Sequence, residues 1–433
     1  MSDLLLTNIM QGISILILVL SLLYVFALIS NTFKTGRLAL VREATERDLL
    51  AQRANEIVER NRIQKAKDEN GWNGIRKFKV SRKVIEAKDQ CSFYFTPHDG
   101  RKLPPFEPGQ FLTFSLNIPD QAKPIIRCYS LSDSPKDDYY RCTIKRVPAP
   151  RDTDHPPGLS SNFFHDQIEE DQIIDVRAPG GHFYLDSTRQ SPVVLIGGGI
   201  GLTPVLSMVN YIVDTGSKRE TWFFYGVKDG TEHAMKDHLQ KIDEEHDHIH
   251  ICPVYSRPRD GEDIEGVDYK YKGRVGAELF NEVLPSNNYD FYFCGPPPMM
   301  NSLFEGLREW GVPENNIHYE AFGPATVTKK KEADQAAEKA PAATSDTVSE
   351  IKITFSKSGK TLAWTSDAGS LLEFAEDNDV AMDSGCRAGN CGTCATALND
   401  GEVEYLSQPG SPPDGGSCLT CISVPKNSIT LDA

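Results

Sequence analysis

The sequence is short of positive charge and of cysteines spaced as a disulfide framework, and each shortage excludes a class of protein. Lys and Arg number 46 against 61 Asp and Glu, which gives a formal net charge of −15. We therefore do not expect nucleic acid as a main partner. The ten cysteines lack the spacing of a small secreted domain and favour a reducing compartment, where clustered cysteines bind metal or carry redox chemistry. No internal repeat is visible, and 433 residues are too many for one ordinary core, so we expect several domains.

The N-terminal segment has no charged residue from Leu4 to Ser30. A helix over Ile9–Ser30 would reach about 33 Å at ~1.5 Å per residue, which is enough to cross a bilayer core of about 30 Å. The segment lacks the basic start and the small-residue cleavage site of a signal peptide. We therefore expect residues 1–32 to form a retained transmembrane anchor that contacts the lipid bilayer through residues 8–30.

Basic residues follow the apolar segment at once, at Lys34, Arg37 and Arg42. The positive-inside rule then places everything after residue 31 in the cytoplasm, so that the chain would be a single-pass membrane protein. Residues 33–72 are rich in Ala, Leu, Glu, Arg and Lys and predict a long, largely solvated juxtamembrane helix.

Two patterns of apolar residues divide the middle of the chain. Over residues 73–187, short alternating runs such as "CSFYFTP" and "QFLTFSL" are separated by Pro and Gly, which predicts a small antiparallel β-barrel. Over residues 188–325, apolar strands such as "PVVLIG" and "ETWFFYG" alternate with helical segments, and that order predicts an α/β domain with a parallel sheet. Residues 326–348 contain few apolar anchors and predict a flexible linker to a last domain at 349–433.

The last domain contains the stretch "CRAGNCGTC", in which three cysteines have the spacing C-x₄-C-x₂-C. This is the plant-type [2Fe–2S] spacing, and it makes Cys386, Cys391 and Cys394 candidate iron ligands. The glycines between them let a loop wrap a cluster closely. Zinc sites usually use two CxxC pairs instead. The fourth ligand lies in "CLTC", and spacing alone does not choose between Cys418 and Cys421.

Residues 349–433 resemble a plant-type ferredoxin, which is a β-grasp domain. In that family the last ligand lies in an L-T-C segment shortly before a proline, and this implies Cys421 with Pro425 behind it. Cys418 would then be a packed neighbour. The segment carries 12 acidic against 5 basic residues, which would either steer it towards a basic acceptor surface or serve only solubility.

A glycine-rich stretch, "LIGGGIGLTP", spans residues 195–204. It ends a predicted strand and opens a predicted helix, where glycines let backbone N–H groups approach a pyrophosphate. The spacing is not the full G-x-G-x-x-G fingerprint, so the turn alone is a weak signal of nucleotide binding. Pro204 suits the first turn of the helix.

Four further stretches become specific through their joint order along the chain. They are "PGQF", "RCYSLSDSP", "GLSSNFF" and "CGPPPMM". Each alone could be an ordinary turn or strand end. Together with the glycine-rich turn they resemble the ferredoxin–NADP⁺ reductase superfamily over residues 73–325, and within it the reductase half of flavohaemoglobins and of oxygenase reductases.

The resemblance implies a set of flavin-binding residues. In the R-x-Y-S motif, Arg127 would face the flavin diphosphate, Tyr129 the isoalloxazine ring and Ser130 its N5 edge. The G-x-x-S match in "GLSS" would cradle phosphate and favours FAD over FMN. The full implied set is Phe111, Arg127, Cys128, Tyr129, Ser130, Gly158 and Ser161.

The resemblance also implies residues for the nicotinamide nucleotide and for the reacting rings. Besides Ser130, Cys294 would lie near the nicotinamide C4, although it could also be a buried strand cysteine, and Phe322 would cover the flavin. The family's closer members mostly use NADH, which favours NADH over NADPH, but Arg257 could accommodate a 2′-phosphate. The implied nucleotide-binding residues are Gly199, Ile200, Gly201, Leu202, Thr203, Pro204 and Gly295.

Three cofactors in one chain imply an electron-transfer reductase. NADH delivers a hydride, a [2Fe–2S] cluster carries one electron, and a flavin can exchange electrons in either way, so the order nicotinamide, FAD, cluster follows from cofactor chemistry. We therefore expect a membrane-anchored NADH-dependent reductase that serves an oxygenase, a desaturase or another membrane-associated redox partner. One alternative is the flavin subunit of an NADH:quinone reductase, in which the ferredoxin domain precedes the reductase. Another is a redox sensor or assembly protein without turnover, against which the complete set of flavin motifs argues.

Overall fold

The computed structural model describes residues 2–149, 156–322, 351–365, 369–385, 387, 389, 392–406, 409, 413 and 415–433. The predicted linker at 326–348 lies outside the described residues, and so do two of the candidate iron ligands, Cys386 and Cys391.

The N-terminal part of the chain is one helix, α1 (Ser2–Asn70). Residues Met1–Lys65 form a unit separate from Ala66–Ala433. Within α1, the stretch Gly12–Thr32 has a mean hydropathy of 2.8, and none of it is buried. By length and composition this stretch could cross a membrane or act as a signal sequence.

The first domain after α1 is built around an antiparallel six-stranded sheet, as the sequence predicts. The sheet order is β4-β3-β6-β1-β2-β5, and a bridge between Leu131 and Cys142 links the segment after β4 to β5, so the two edges meet as in a barrel. Aromatic rings fill its interior, and those of Phe114 and Phe164 have centroids 5.3 Å apart. The elements are β1 (Ile75–Ala87), β2 (Gln90–Pro97), β3 (Phe111–Leu116), β4 (Ile125–Ser130), β5 (Tyr140–Lys145), α2 (Leu159–Asp166) and β6 (Ile173–Gly180).

The second domain has the predicted parallel sheet with helices on both faces. Alternate residues of the central strand enter opposite layers, so that Leu195 packs with α3 and α4 while Ile196 packs with α5 and α6. This alternation is what a sheet buried on both faces requires. The elements are β7 (Val193–Gly198), α3 (Leu202–Asp214), β8 (Thr221–Val227), α4 (Lys236–Glu245), β9 (Ile249–Tyr255), β10 (Tyr271–Lys272), α5 (Ala277–Val283), β11 (Asp290–Cys294), α6 (Pro297–Glu309) and β12 (Ile317–Glu320).

The strand order of this sheet, β10-β9-β8-β7-β11-β12, determines where a ligand can bind. The chain runs from β7 through β8 and β9 in one direction and then returns to place β11 on the other side of β7. The crevice beyond the carboxyl ends of β7 and β11 is therefore a topological switch point, which is where open α/β sheets bind their ligands.

The described residues of the C-terminal domain form a mixed sheet with one α-helix, in agreement with the predicted β-grasp fold. The strands run in the order β14-β13-β19-β15-β17, with β16 and β18 paired separately. Helix α7 starts with a capping box, in which the Glu373 N–H donates to the Ser370 hydroxyl over 3.3 Å and the Ser370 N–H to the Glu373 carboxylate over 2.9 Å. The elements are β13 (Lys352–Phe355), β14 (Lys360–Ala363), α7 (Leu371–Asp377), β15 (Ala395–Asp400), β16 (Val403–Tyr405), β17 (Ser417–Leu419), β18 (Ser423–Pro425) and β19 (Ile429–Leu431).

Candidate functional site

A cavity of about 310 Å³ lies where the barrel meets the α/β domain. Its size is within the range of about 300–1,000 Å³ that is usual for small-molecule sites. Strand β4, the first turn of α2 and the turn after β7 converge on it. The residues predicted from the sequence that line it are Arg127, Cys128, Tyr129, Ser130, Gly158, Ser161, Ile200, Thr203 and Phe322.

Arg127 brings a positive charge to this cavity from strand β4. Its Nη1 donates to the carbonyl oxygen of the preceding residue, Ile126, over 2.7 Å. In the part of the chain that the structure describes, the guanidinium forms no ion pair with an acidic side chain. Its remaining donors can therefore take a phosphate, for which the planar guanidinium provides bidentate hydrogen bonds.

The rest of the R-x-Y-S motif gives the cavity a partly apolar wall. The ring of Tyr129 packs edge-on against Phe114 and Phe164, with centroid distances of 5.8 and 5.3 Å. Burial raises the pKa of the Tyr129 hydroxyl, so that it stays neutral. Cys128 is half-buried and Ser130 is buried. A neutral aromatic face beside a cationic group suits a ligand with a planar ring and a phosphate.

Two adjacent serines at the start of α2 have different roles. The Ser161 hydroxyl accepts from the Val147 N–H over 3.1 Å and donates to the Gly158 carbonyl over 3.2 Å, so it holds the loop in place. The Ser160 hydroxyl also lines the cavity, is buried, and has no hydrogen-bond partner among the described residues. A buried hydroxyl normally has a partner, and a phosphate at this helix start would supply one.

The glycine-rich turn lies directly against the end of the neighbouring strand. A Cβ on Gly201 would lie 2.2 Å from the carbonyl oxygen of Cys294, and one on Gly198 would lie 2.5 Å from Sδ of Met299. Gly199 has a φ of +54°, which disfavours other residue types. The turn thus forms a cradle at the switch point that a side chain would fill, as expected for a backbone that binds a pyrophosphate.

Several predicted residues do not line the cavity. Phe111 is buried, and its ring lies under Gly181, whose added Cβ would be 2.8 Å from it. Cys294 is fully buried in the core of the α/β domain, the position expected of a buried strand cysteine, and burial raises the pKa of its thiol. From the nucleotide turn, Ile200 and Thr203 reach the cavity. The predicted residues outside its lining are Phe111, Gly199, Gly201, Leu202, Pro204, Cys294 and Gly295.

Sequence reasoning missed some polar residues at this place. Thr143 and Lys145 line the cavity and belong to no motif, and Ser160 lines it within "GLSSNFF" without having been singled out. Glu320 pairs with Cys294 between β12 and β11, its Oε2 has no hydrogen-bond partner among the described residues, and burial raises its pKa to about 8. A buried acid with a shifted pKa beside a ligand crevice is typical of functional sites. Glu320 comes to this place only through the pairing of β12 with β11, which the sequence does not show.

The structure brings Cys394 and Cys421 together, whereas Cys418 packs with a different set of apolar residues. The Sγ atoms of Cys394 and Cys421 are 3.0 Å apart, which is longer than a disulfide bond of about 2.05 Å and close enough for both to ligate one metal ion. Cys418 packs with apolar residues of β13 and α7, where burial raises the pKa of its thiol to about 11. Gly389 has a φ of +73°, as a closely wrapped loop requires.

Family models match three separate parts of the chain. Residues 77–184 match the oxidoreductase FAD-binding domain, residues 195–304 the oxidoreductase NAD-binding domain, and residues 353–426 the 2Fe-2S iron-sulfur cluster binding domain. The three matches lie in the chain order expected from the sequence motifs.

Similar curated proteins include flavohemoproteins of bacteria. That of Halalkalibacterium halodurans is 39% identical over 255 residues, which are 59% of this chain and 61% of the relative. That of Rhodopirellula baltica is 40% identical over 259 residues, which are 59% of this chain and 62% of the relative. The chain thus spans less than two thirds of the length of these relatives.

Similar solved structures cover either the reductase part or nearly the whole chain. The flavohem-like FAD/NAD-binding domain of nitric oxide dioxygenase from Vibrio cholerae is 27% identical with a TM-score of 0.52, and the match covers 58% of this chain and 100% of that one. Phthalate dioxygenase reductase, described as a modular structure for electron transfer from pyridine nucleotides to [2Fe–2S], is 26% identical with a TM-score of 0.50, covering 83% of this chain and 98% of that one. The chain therefore combines FAD-binding and NAD-binding oxidoreductase domains with a C-terminal 2Fe-2S domain, in an architecture similar to that of phthalate dioxygenase reductase.

Proposed function

We propose that the chain is a membrane-anchored NADH oxidoreductase that passes electrons through FAD and a [2Fe–2S] cluster to a one-electron acceptor such as an oxygenase or a desaturase. The observation that carries the proposal is the cavity between the barrel and the α/β domain, because the R-x-Y-S strand and the nucleotide turn both reach it. A site lined by both elements can hold a flavin and a nicotinamide side by side.

FAD is held in this proposal by the barrel side of the cavity. Arg127 binds the diphosphate, and Ser160 and the first turn of α2 donate to phosphate oxygens. Tyr129 provides an aromatic wall for the ring system. When bound, FAD accepts a hydride and releases electrons singly, which is the chemistry that connects NADH to a one-electron carrier.

The nucleotide is held by the turn Gly199–Gly201 and the start of α3, because the N-terminus of a helix favours a pyrophosphate. Phe322 lines the cavity and is 44% exposed, so its ring can move aside for a nicotinamide without opening the core. We propose NADH as the donor because a carboxylate, Asp229, follows β8, where NAD-binding folds place an acid on the ribose. The ratio of kcat/KM for NADH to that for NADPH tests this choice, and a ratio below one would reverse it.

The cluster ligands in this proposal are Cys386, Cys391, Cys394 and Cys421. The pairing of Cys394 with Cys421 favours Cys421 over Cys418 as the fourth ligand. Plant-type clusters have potentials near ~−400 mV, so the reduced protein would be a strong one-electron donor.

The apolar stretch Gly12–Thr32 supports a membrane anchor, and the basic residues that follow it support a cytoplasmic location for the cofactor domains. An anchored donor would meet a membrane-associated acceptor most often. Flotation of the full-length protein with vesicles tests the anchor, and recovery of the full-length protein in the aqueous fraction would contradict it.

Reduction of cytochrome c by NADH tests the electron route. In Cys394→Ser we expect cytochrome c reduction to fall strongly, because a ligand is lost, while NADH still bleaches the flavin. Unchanged cytochrome c reduction would show that electrons leave without the cluster. A redox sensor without turnover would differ from both outcomes, since it would not oxidise NADH steadily with ferricyanide.

A further inference from the structure

Helix α3 carries a polar stripe on one face. Thr203, Ser207, Asn210 and Asp214 are spaced three or four residues apart, which places them on the same side of a helix. Ser207 is fully buried and Asn210 is 5% exposed, although most of their neighbours on this helix are apolar. Buried polar side chains need hydrogen-bond partners, and these have theirs in the barrel domain.

The partners belong to the loop that follows strand β4. The Ser207 hydroxyl donates to the Asp133 carbonyl oxygen over 2.6 Å, and Nδ2 of Asn210 donates to Oδ1 of Asp133 over 2.8 Å. Farther along the helix, Asp214 accepts from the Ser134 hydroxyl. Asp214 also accepts from Nζ of Lys136 over 2.7 Å. We call this row of contacts between α3 and the loop after β4 the seam.

Asp133 and Asn210, the two central residues of the seam, each make a further contact besides their shared hydrogen bond. Oδ2 of Asp133 accepts from the Tyr139 hydroxyl over 2.9 Å and lies 3.5 Å from Nη1 of Arg141. Oδ1 of Asn210 contacts Nε2 of His238, on α4, over 2.8 Å. Neither side chain can turn away without breaking a further, partly buried contact, so the seam is a defined connection and not a loose polar contact.

The seam is continuous with the cavity. Asp133 follows Ser130, the last residue of the R-x-Y-S motif, by three positions. Asn210 follows Thr203 by about two helical turns. Ser130 and Thr203 both line the cavity, so the seam joins the flavin-side strand to the nucleotide-side helix just beyond the site.

We propose that Asp133 and Asn210 are positioning residues for hydride transfer, because their hydrogen bond sets the spacing between the flavin-binding strand and the nucleotide-binding turn. The proposal rests on the proposed function, in which FAD and NADH share the cavity. Reacting groups must be held close to one geometry, and a displacement of about 1 Å can cost on the order of 100-fold in rate.

Two variants of the full-length protein separate positioning from simple structural support. Asn210→Asp places a second carboxylate against Asp133 and replaces attraction by repulsion. The double variant Asp133→Asn/Asn210→Asp restores one amide and one carboxylate with the donor and acceptor exchanged. Thr215→Ala is the matched control, because the Thr215 hydroxyl donates to Tyr211 in its own helix over 2.7 Å and is exposed.

Flavin bleaching by NADH is followed in a stopped-flow instrument, together with the long-wavelength charge-transfer absorbance of a nicotinamide stacked on the flavin. For Asn210→Asp we expect flavin reduction at saturating NADH to slow about tenfold or more, with a weaker charge-transfer band and unchanged affinity for ADP-ribose. The exchanged pair should recover to within about threefold of wild type, and Thr215→Ala should match wild type.

The inference is overturned if Asn210→Asp keeps the wild-type rate and charge-transfer band. It is also overturned if the exchanged pair is as slow as Asn210→Asp with the same loss of melting temperature, since the residues would then only support the fold. A wild-type protein whose bound flavin is not reduced by NADH would overturn the proposed function itself, which is a different result.

Discussion

Replacing Gly201 by alanine should slow the reduction of the flavin by NADH on the order of 100-fold while leaving the C-terminal domain intact. The added Cβ would lie 2.2 Å from the carbonyl oxygen of Cys294 and 2.7 Å from the backbone nitrogen of Gly295. Both contacts are with backbone atoms, which cannot rotate away as the end of a flexible side chain can. The turn and the end of β11 must therefore separate.

The size of the effect follows from the separation required. A nonbonded carbon and oxygen need a little over 3 Å, so the two backbones must move apart by about 1 Å, and a displacement of that size at a reacting site can cost on the order of 100-fold in rate. Inserting a methyl group into a packed region also costs about 1–3 kcal/mol of stability. We expect both a much slower flavin reduction and a lower melting temperature of the reductase part.

The assay is stopped-flow flavin bleaching over a range of NADH concentrations. The EPR signal of the cluster after dithionite reduction shows whether the C-terminal domain is intact. Gly276→Ala is the matched control in the same domain, since among the described residues no heavy atom lies within 4 Å of its added Cβ and its backbone is extended with a φ of −163°. Wild-type rates in Gly201→Ala would refute the claim that the nucleotide needs this close approach of the two backbones.

Four further variants test the buried acid, the cluster ligands and the N-terminal segment. Burial raises the pKa of Glu320 from 4.5 to about 8. Its stabilising contribution is therefore full below about pH 4.5 and is lost as the pH rises through about 8. Between these two pH values the melting temperature of Glu320→Gln should fall less than that of the wild type. Cys421→Ser should abolish the cluster absorbance and EPR signal, whereas Cys418→Ser should retain both at some cost in stability; the reverse result would exchange the ligand assignment. Deleting residues 1–31 should give a protein that stays in solution without detergent and oxidises NADH at the wild-type rate, and loss of flavin would show that the segment supports the cofactor fold.

The sequence predicts the architecture well because each domain has a distinct local signal. Alternating runs indicate the barrel, strands that alternate with helices indicate the parallel sheet, and the three closely spaced cysteines indicate the last domain. All three signals depend on neighbouring residues and need no knowledge of long-range contacts.

The finer placement of side chains could not be predicted in the same way. Ser160 and Ser161 are adjacent in "GLSSNFF", and residues next to each other on a helix point about 100° apart. The motif therefore does not show that the Ser161 hydroxyl holds the loop while the Ser160 hydroxyl has no hydrogen-bond partner among the described residues. Glu320 reaches the switch point through the pairing of β12 with β11, which is a long-range contact.

The roles that the motifs imply for Cys294 and Phe111 stay predictions. Both belong to recognisable stretches, yet both are buried away from the cavity lining. The polar residues of α3 are spaced three or four positions apart, but their partner, Asp133, lies in another domain, and local spacing does not show that pairing.

Anaerobic addition of NADH to the purified full-length protein, followed by low-temperature EPR, tests the central claim most directly. The account predicts that the flavin absorbance bleaches and that the rhombic signal of a reduced [2Fe–2S] cluster appears with NADH alone. A cluster signal that dithionite elicits but NADH does not, despite a bleached flavin, would contradict the proposed route of the electrons.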